Sequence, residues 1–472
     1  MTGATTRSRG AGAGRVTLVG AGPGDPGLLT ERGRAALLAA DDVVYDALVS
    51  ERTVASCTAR RHFVGKRAGR QGLPQEEIQA LLVRLARSGR RVCRLKGGDP
   101  FLFGRGGEEV EALQRAGIDY EVVPGVTAAA GAAAYCGVAL THRERSSSVA
   151  FCTGHAERIP VPAVDTIVYY MGAASLARVA AAVLAAGWPA ATPVLIVRDA
   201  TLPDQESTLT SLEAIRAGSV AAASPSVVIV GGAAEAAFDA SQGGWYAARP
   251  KVLVTGTRTE PFAHLGEPIH TPLVDTVPAA DRNAVRRAIE RLDRFDHVAF
   301  TSRNAVDHFL TELRAAGRDA RALAGRTVAA VGEATAAALS RRGLAADVVG
   351  AGAGAGAEGL LAAYAAAGVR GARILLPASD RARGTLADGL RDAGNRVEVL
   401  VVYRTVPRAD PVREELAGIS LVAFSSPSGV AAFRDLYGRR LPEHPCFVVL
   451  GELTARAARG AYPDHAVRGL MA

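Results

Sequence analysis

Lysine is nearly absent from this sequence: of 55 basic residues only Lys66, Lys96 and Lys251 are lysines. A general bias towards arginine is the plain cause, yet two of the three lie inside the motifs discussed below. Cysteine is sparse too. Cys57, Cys93, Cys136, Cys152 and Cys446 form no C-x-x-C pair. That odd, scattered set argues against a disulfide framework or a cysteine-built zinc site and fits a reduced cytoplasm, with no metal expected. Aromatics amount to 5% and no long basic run interleaves with them. The net charge of +8 therefore reads as suited to an acidic small molecule rather than to nucleic acid. No apolar run of the roughly eighteen residues a bilayer demands escapes a charge or a breaker, so no membrane span is expected. The first residues, MTGATTRSRGAGAGR, lack an apolar targeting segment. Residues 1–14 read as a disordered tail.

What is present is enough for two to four domains: 472 residues, 49% hydrophobic and 22% charged, in the range of soluble globular chains. An apolar strand at Val16–Val19 runs into the turn Gly20–Gly27, and Thr30 reads as the N-cap of a helix reaching about Ala40. Strand-like runs recur at Val43–Tyr45, Val92–Leu95, Glu121–Val123, Val149–Cys152, Thr166–Tyr170, Val194–Val197 and Ser226–Val230. Helical patterns between them predict α/β architecture. The pattern lapses through SQGGWYAARP, and a fresh strand begins at Lys251–Thr255. The expected division is a first domain over 15–240, a linker over 241–249 and a second domain over 250–472.

The second half contains an internal duplication. DHVAFTSRNAVDHF from Asp296 resembles SLVAFSSPSGVAAF from Ser420, and TVAAVGEATAAAL from Thr327 resembles FVVLGELTARAA from Phe447. Each segment is a strand, a short polar turn and a helix start. Two similar α/β lobes facing a ligand cleft are the natural expectation. The AGAGAGA run at 351–357 reads as a flexible loop.

In the first half, the loop Gly20-Ala-Gly-Pro-Gly-Asp-Pro-Gly27 superficially resembles a dinucleotide fingerprint. Pro23 and Pro26 remove two N–H donors and spoil a phosphate cradle, though such a loop still packs its backbone closely against a ligand. Its bland alternative is a strand-to-helix turn. The loop does not stand alone, because RLKGGDPFLFGRGGEE at 94–109, VPGVTA at 123–128, LTHR at 140–143, TGH at 153–155 and YYMG at 169–172 follow it. In order and spacing these motifs resemble the uroporphyrinogen-III C-methyltransferase family, within the tetrapyrrole methyltransferases, over roughly residues 15–235.

That resemblance implies a two-lobed fold and the cofactor S-adenosylmethionine, with S-adenosylhomocysteine as product. Pro23, Gly97, Gly98, Asp99, Leu102, Thr127, Ala128 and Met171 are the implied cofactor residues, Asp99 as an acceptor for a hydroxyl or ammonium. Ala200 is a further one, standing where the family usually carries glycine. Asp46 and Lys66 take the implied proton-acceptor and proton-donor roles. The alternatives are a turn-capping aspartate and a lysine that is solvated or bound to a substrate carboxylate. Because the implied substrate carries eight carboxylates, Arg67, Arg105 and Arg143 are expected in its pocket, with Arg145 a further candidate. Any one of them could instead be a surface arginine.

Residues 251–472 resemble uroporphyrinogen-III synthase through FTSRNAV at 300, VGEAT at 331, VVYRTVP at 401, FSSPSGV at 424 and LGELTA at 450. The family's duplicated two-lobe α/β fold matches the repeat found independently. By this resemblance Tyr403 helps a hydroxyl leave as hydroxymethylbilane closes with its last ring inverted; an edge-strand tyrosine is the alternative. Ser302, Asn304, Thr335, Ser426, Ser428 and Thr454 at strand-to-helix turns are expected to bind substrate carboxylates, to cap helices, or both. The family often has paired threonines where this chain has Leu453 and Thr454.

The combined expectation is a cytoplasmic, bifunctional enzyme that makes uroporphyrinogen III and methylates it twice to precorrin-2, in the sirohaem and cobalamin branches of porphyrin biosynthesis. Its partners are small acidic tetrapyrroles, and the family implies a homodimer through the methyltransferase domain. No nicotinamide use or iron insertion is expected. The rivals are a methyltransferase for a later corrin precursor and a second half that only binds or senses tetrapyrrole.

Overall fold

The computed structural model of the chain describes residues 14–470 apart from 56, 66–71, 235–242, 351–355, 383, 415, 417, 439–440 and 442–444. The tail expected at 1–14 lies outside the described residues up to position 13, as does the glycine–alanine run at 351–355. Two α/β sheets form the first half, as expected.

The first sheet is built from β1 (Arg15–Gly20), α1 (Glu31–Ala39), β2 (Asp42–Tyr45), α2 (Glu51–Ala55), β3 (Arg60–Phe63), α3 (Gln75–Arg87), β4 (Arg91–Lys96), α4 (Gly106–Arg115) and β5 (Asp119–Val123), with α5 (Ala128–Cys136) following. All its strands are parallel, in the order β3-β2-β4-β1-β5. Parallel strands are covered on both faces, which is why these segments read as continuous apolar runs. Val16 and Leu18 of β1 join Leu82 of α3 and Leu113 of α4 on one face, while Val19 joins Leu37 of α1, Val43 and Leu95 on the other. Helix α1 begins as expected, with Thr30 Oγ1 accepting from the Gly33 N–H at 3.1 Å. From the neighbouring strands β1 and β4 the chain departs in opposite directions, towards β2 and β5. Open α/β sheets take ligands at such a switch point, outside the carboxyl ends of the strands.

The second sheet comprises β6 (Val149–Thr153), β7 (Thr166–Tyr170), α6 (Leu176–Ala185), β8 (Pro193–Arg198), β9 (Glu206–Ser211), α7 (Leu212–Arg216) and β10 (Ser226–Val230). Its order is β6-β7-β10-β8-β9, with β6 and β7 parallel and the other pairings antiparallel. The sequence reading lacked β3 and β9. Both are edge strands, and their polar sequences RRHF and ESTLTS carry no buried run to betray them.

Residues 243–249 of the segment expected as a linker are packed. Gly243 and Gly244 turn the chain at φ of 71° and 94°, and α8 (Trp245–Ala248) follows. Tyr246 is buried with its ring 4.6 Å from that of Tyr135 on α5, and Trp245 Nε1 donates to the Ala134 carbonyl at 2.6 Å. The Lys251 ammonium stands 3.8 Å from the centre of the Tyr246 ring and donates to the Tyr246 and Arg249 carbonyls. Burial pulls its pKa down to about 8. Two adjacent aromatics thus convert a glycine-rich stretch into a strap.

The second half runs β11 (Lys251–Val254), β12 (Glu267–His270), β13 (Val274–Pro278), α9 (Arg282–Glu290), β14 (His297–Phe300), α10 (Arg303–Ala315), β15 (Thr327–Ala330), α11 (Glu333–Ser340), β16 (Val348–Val349), α12 (Ala357–Ala366), β17 (Arg373–Ser379), α13 (Thr385–Asp392), β18 (Arg396–Pro407), β19 (Ile419–Phe424), α14 (Pro427–Tyr437), β20 (Cys446–Val449), α15 (Glu452–Ala461) and β21 (Val467–Gly469). By compactness, Pro272–Ala409 with Ser426–Leu436 forms one unit, and Asp410–Ser425 and Tyr437–Ala472 group with Met1–Thr271. The first of these units holds a six-stranded sheet, β13-β18-β17-β14-β15-β16. Val298 and Phe300 of β14 pack with α9 and α10 on one face, and Ala299 packs with α12 and α13 on the other. The other unit holds a five-stranded sheet, β12-β11-β19-β20-β21.

The duplication is visible in this topology. β14–α10 followed by β15–α11 repeats as β19–α14 followed by β20–α15, with the two strands parallel neighbours in both cases.

Replacing the aromatic that seats the strap tests its packing: Tyr246→Ala should admit proteinase K cleavage within residues 243–250, located by mass spectrometry, at least several-fold faster than in the parent chain. Equal rates would mean that the strap is not held by this ring.

Candidate active site

Three glycine-bearing turns leave the carboxyl ends of β1, β4 and β5 and meet there. A Cβ placed on Gly125 would stand 2.4 Å from the Gly98 carbonyl oxygen and 2.7 Å from Gly20 Cα, so only backbone without side chains fits. Gly22 and Gly98 exchange backbone hydrogen bonds of 3.2 and 2.7 Å. Asp99 fastens the turns together: one carboxylate oxygen accepts from the Phe101 N–H at 2.8 Å, the other from the Gly125 N–H at 3.0 Å. The carboxylate expected to receive a ligand's hydroxyl or ammonium thus already organises the backbone, and the short GGDP turn leaves it within reach of both N–H groups.

The second sheet reaches into the same place. Tyr170, at the end of β7, shares a hydrogen bond of 2.5 Å with Thr127 Oγ1 and accepts from the Ala129 N–H at 3.1 Å, capping the open end of α5. Its ring lies 5.0 Å from Phe103 and 6.1 Å from Phe151. Met171, next along, has a left-handed backbone with φ of 56° and is 52% exposed. Leu48, Phe101, Phe103 and Phe151 are exposed as well, and apolar side chains gathered in the open mark a binding surface. On the far side, Pro23 packs against Gly131 of α5. The Asp25 N–H donates to Thr201 Oγ1 at 3.0 Å, and the Tyr135 hydroxyl donates to Asp25 at 2.5 Å. Ala200 is buried between Asp199 and Thr201, both at positive φ, with its carbonyl against Gly24.

Pro23, Gly97, Gly98, Asp99, Leu102, Thr127 and Ala128 therefore belong to these converging turns, Ala200 after β8 adjoins them through Gly24, and Met171 adjoins them through Tyr170. Tyr170, Phe103 and Tyr135 were not picked out from sequence as site residues. They act through contacts between sheets, which no local spacing signals.

Asp46 follows β2. Its Oδ1 accepts from the Leu48 N–H at 3.2 Å, the turn-capping alternative, while Oδ2 pairs with Arg94 at 3.2 Å. Leu48 in turn touches Gly97, which has no room for a Cβ. Behind Asp46 lies a buried ion cluster that the sequence did not reveal: Arg94 and Lys96, on one side of β4, both pair with Glu109 Oε1, at 3.2 and 2.9 Å. Burial, followed by the neighbouring Arg94 charge, holds the Lys96 pKa below the usual lysine range. Arg105 is exposed and engaged with Glu108 at 2.6 Å, and Arg143 is exposed. Lys66 and Arg67 lie outside the described residues.

In the six-stranded sheet, Tyr403 sits on β18, flanked by β13 and β17. It is neither at an edge nor half exposed: its ring is buried and stacked on His308 at 5.2 Å with 11° between planes. Its hydroxyl lies 3.2 Å from Ser302 Oγ, which also accepts from the Ala305 N–H at 3.0 Å to cap α10. His308 Nε2 contacts Thr276 Oγ1 at 3.1 Å, and burial keeps this imidazole's pKa below its ordinary value. Asn304 is half-buried in the first turn of α10 and Thr335 is buried in that of α11. Ser426 caps α14 through the Gly429 N–H at 3.3 Å, and Ser428 accepts from Arg381 at 2.8 Å, a cation the sequence reading did not single out. Thr454 is buried in α15 of the other unit. Among the described residues no cluster suits a metal ion and no helix is long and apolar enough to cross a membrane.

Residues 15–216 match the family described as Tetrapyrrole (Corrin/Porphyrin) Methylases, and residues 262–467 match Uroporphyrinogen-III synthase HemD. A porphyrin biosynthesis protein HemD of Ruminiclostridium josui is 38% identical over 358 residues, 71% of this chain and 70% of that one. Siroheme synthase 2 of Serratia proteamaculans is 48% identical over 46% of this chain and 49% of its own. The chain thus spans about half the length of the siroheme synthases it matches. Among solved structures, the uroporphyrin-III C-methyl transferase of Thermus thermophilus complexed with S-adenyl homocysteine is 40% identical with a TM-score of 0.42, over 46% of this chain and 98% of that one. A mutant uroporphyrinogen III synthase from the same species is 22% identical with a TM-score of 0.32, over 46% and 92%.

The convergence of the turns is tested by a pair of glycine replacements. Gly125→Ala forces a methyl onto the Gly98 carbonyl and should destabilise the first half by roughly 1–3 kcal/mol, read as a lower thermal midpoint. Gly107→Ala, in α4 with open space around its added Cβ, should be neutral or stabilising. A Gly125→Ala chain as stable as its parent would contradict the packing.

Proposed function

The chain belongs to the tetrapyrrole (corrin/porphyrin) methylases through its first half and to the uroporphyrinogen-III synthases through its second, and we propose that it is a bifunctional enzyme of tetrapyrrole biosynthesis that closes hydroxymethylbilane to uroporphyrinogen III, inverting ring D, and then methylates that product twice to precorrin-2. The observation that carries this reading is the meeting of three glycine-bearing turns beside an exposed apolar wall and the Asp46 carboxylate. The proposed division is a methyltransferase domain over 15–240, a short connection over 241–249 and a synthase domain over 250–472.

The turns fit S-adenosylmethionine. Gly98, where an added Cβ would meet nothing closer than 3.6 Å, leaves room for a ligand to approach, and Met171 offers an exposed thioether as apolar packing. When bound, that cofactor supplies the methyl group carried on its sulfonium. The residues of this chain hold, orient and deprotonate. Thr127 and Ala128 at the start of α5, locked by Tyr170, fix one side of the cradle. Phe101, Phe103 and Phe151 offer faces to the pyrrole rings of the macrocycle. Asp46, held by Arg94, accepts the proton that the ring system gives up once the pyrrole carbon is methylated. Arg105, Arg143 and the segment carrying Lys66 and Arg67 supply cations for the substrate's carboxylates.

In the synthase half, the Tyr403 hydroxyl, shared with Ser302, assists the departing hydroxyl of the linear substrate, and the serine and threonine turns take its carboxylates. A homodimer through the methyltransferase domain and a cytoplasmic location complete the proposal.

Hydroxymethylbilane given to the purified chain should yield the type III isomer, and adding labelled S-adenosylmethionine should place two methyl groups on it. The spontaneous type I isomer alone would favour a sensing second half, and absence of label would reject the methyltransferase reading. Asp46→Asn should slow methylation roughly 100-fold with S-adenosylhomocysteine binding little changed; equal losses of both would assign Asp46 a structural role. Tyr403→Phe keeps the stacked ring but removes the hydroxyl, so ring closure should fall at least about tenfold while methylation persists. A parallel fall in methylation would refute separate sites.

A further inference from the structure

We propose that Arg94 is a positioning residue for methyl transfer, a buried bracket that holds the Asp46 carboxylate in its working orientation and is itself held by Glu109. The proposal rests on reading Asp46 as the proton acceptor. Asp46 stands on a turn after β2, with its side chain 27% exposed, and a lone turn bond to Leu48 leaves a carboxylate free to swivel. Arg94 removes that freedom. Its Nη2 meets Asp46 Oδ2 at 3.2 Å, its Nε meets Glu109 Oε1 at 3.2 Å, and its Nη1 donates to the Leu95 carbonyl at 3.0 Å and the Val44 carbonyl at 3.4 Å. A planar guanidinium pinned at all three nitrogens has one orientation, which a flexible ammonium could not keep.

Glu109 is the anchor. It is fully buried, and its Oε1 accepts from Arg94, from Lys96 at 2.9 Å and from Gln75 of α3 at 3.2 Å, while Oε2 has no hydrogen-bond partner among the described residues. The cluster balances two cations against two carboxylates, which is what permits such burial. Near Asp46 in sequence, Arg52 of α2 turns to Glu414 at 3.3 Å, and Glu51 is exposed. Of the four charged side chains in the cluster, Asp46 is the one partly open to solvent, so the cluster reaches the exposed rim through it.

A double-mutant cycle decides the matter. Arg94→Gln, which leaves Glu109 paired with Lys96, should lower kcat for methylation roughly 10- to 100-fold, while the KM for S-adenosylmethionine and the Kd for S-adenosylhomocysteine stay within about twofold. Placed in an Asp46→Asn chain, the same change should add less than about a twofold further loss, because residues acting as a unit are not additive. Full additivity, or a loss of S-adenosylhomocysteine affinity as large as the loss of kcat, would overturn the proposal. If Arg94→Gln does not fold, Arg94→Lys, which keeps the charge but not the fork, is read by the same cycle with the same criteria. Should Asp46→Asn itself methylate at the parent rate, the reading of Asp46 fails and takes this one with it. If Asp46→Asn is slow and the folded Arg94 variant is not, only the positioning role is lost.

Discussion

The first half depends on a place where backbone must touch backbone. Gly20, Gly98 and Gly125 stand at the ends of three parallel strands, so close that a Cβ on Gly20 or Gly125 would run into the backbone of the others. This contact welds the switch point of the sheet into a single surface and fixes the two glycine-rich loops relative to α5. Asp99 adds the directional part, since its two oxygens are spent on N–H groups of two different turns. The cost is that the backbone there has few rotamer-bearing neighbours to stiffen it. Tyr170, Tyr135 and Thr201 from the second sheet and α5 supply that stiffness by hydrogen bonding to the turns.

Charge is handled by a different principle. Most of the ion-paired arginines among the described residues lie at the surface, in pairs worth little individually, Arg105 with Glu108 among them. Arg94, Lys96 and Glu109 are instead buried beneath the exposed rim on which Asp46 sits. Removing Glu109 would leave Arg94 and Lys96 in the interior without the carboxylate they share, a far larger penalty than the cluster's net stabilisation. Its value lies in fixing geometry.

The synthase half distributes its polar groups along repeated strand-to-helix turns. Ser302 and Ser426 occupy equivalent positions in the duplicated motif and cap their helices in the same way. The first copy has a tyrosine neighbour, because β18 enters the six-stranded sheet two strands from β14 and brings Tyr403 to Ser302. One long strand thus gives a duplicated turn its own chemical setting.

Much of this was legible in the residues alone. Apolar runs such as Thr166–Tyr170 and Ser226–Val230 gave their strands to the residue, since a strand covered on both faces must be apolar throughout. Thr30 announced its helix, and the glycine turns announced themselves by composition and order. Edge strands β3 and β9 escaped notice because half-exposed strands need no such run, and the strap at Trp245–Ala248 escaped because its order comes from a partner ring over a hundred positions away. The sequence by itself determined which segments are strands, where backbone is bare and which half each motif serves, because those depend on local periodicity and side-chain size. Tertiary structure alone decided that Asp99 clasps rather than waits, that Tyr403 is stacked within its sheet, and that Arg94 reaches Asp46 across 48 positions of chain. Those are distances between elements, set by how sheets and helices pack, and no spacing along the chain encodes them.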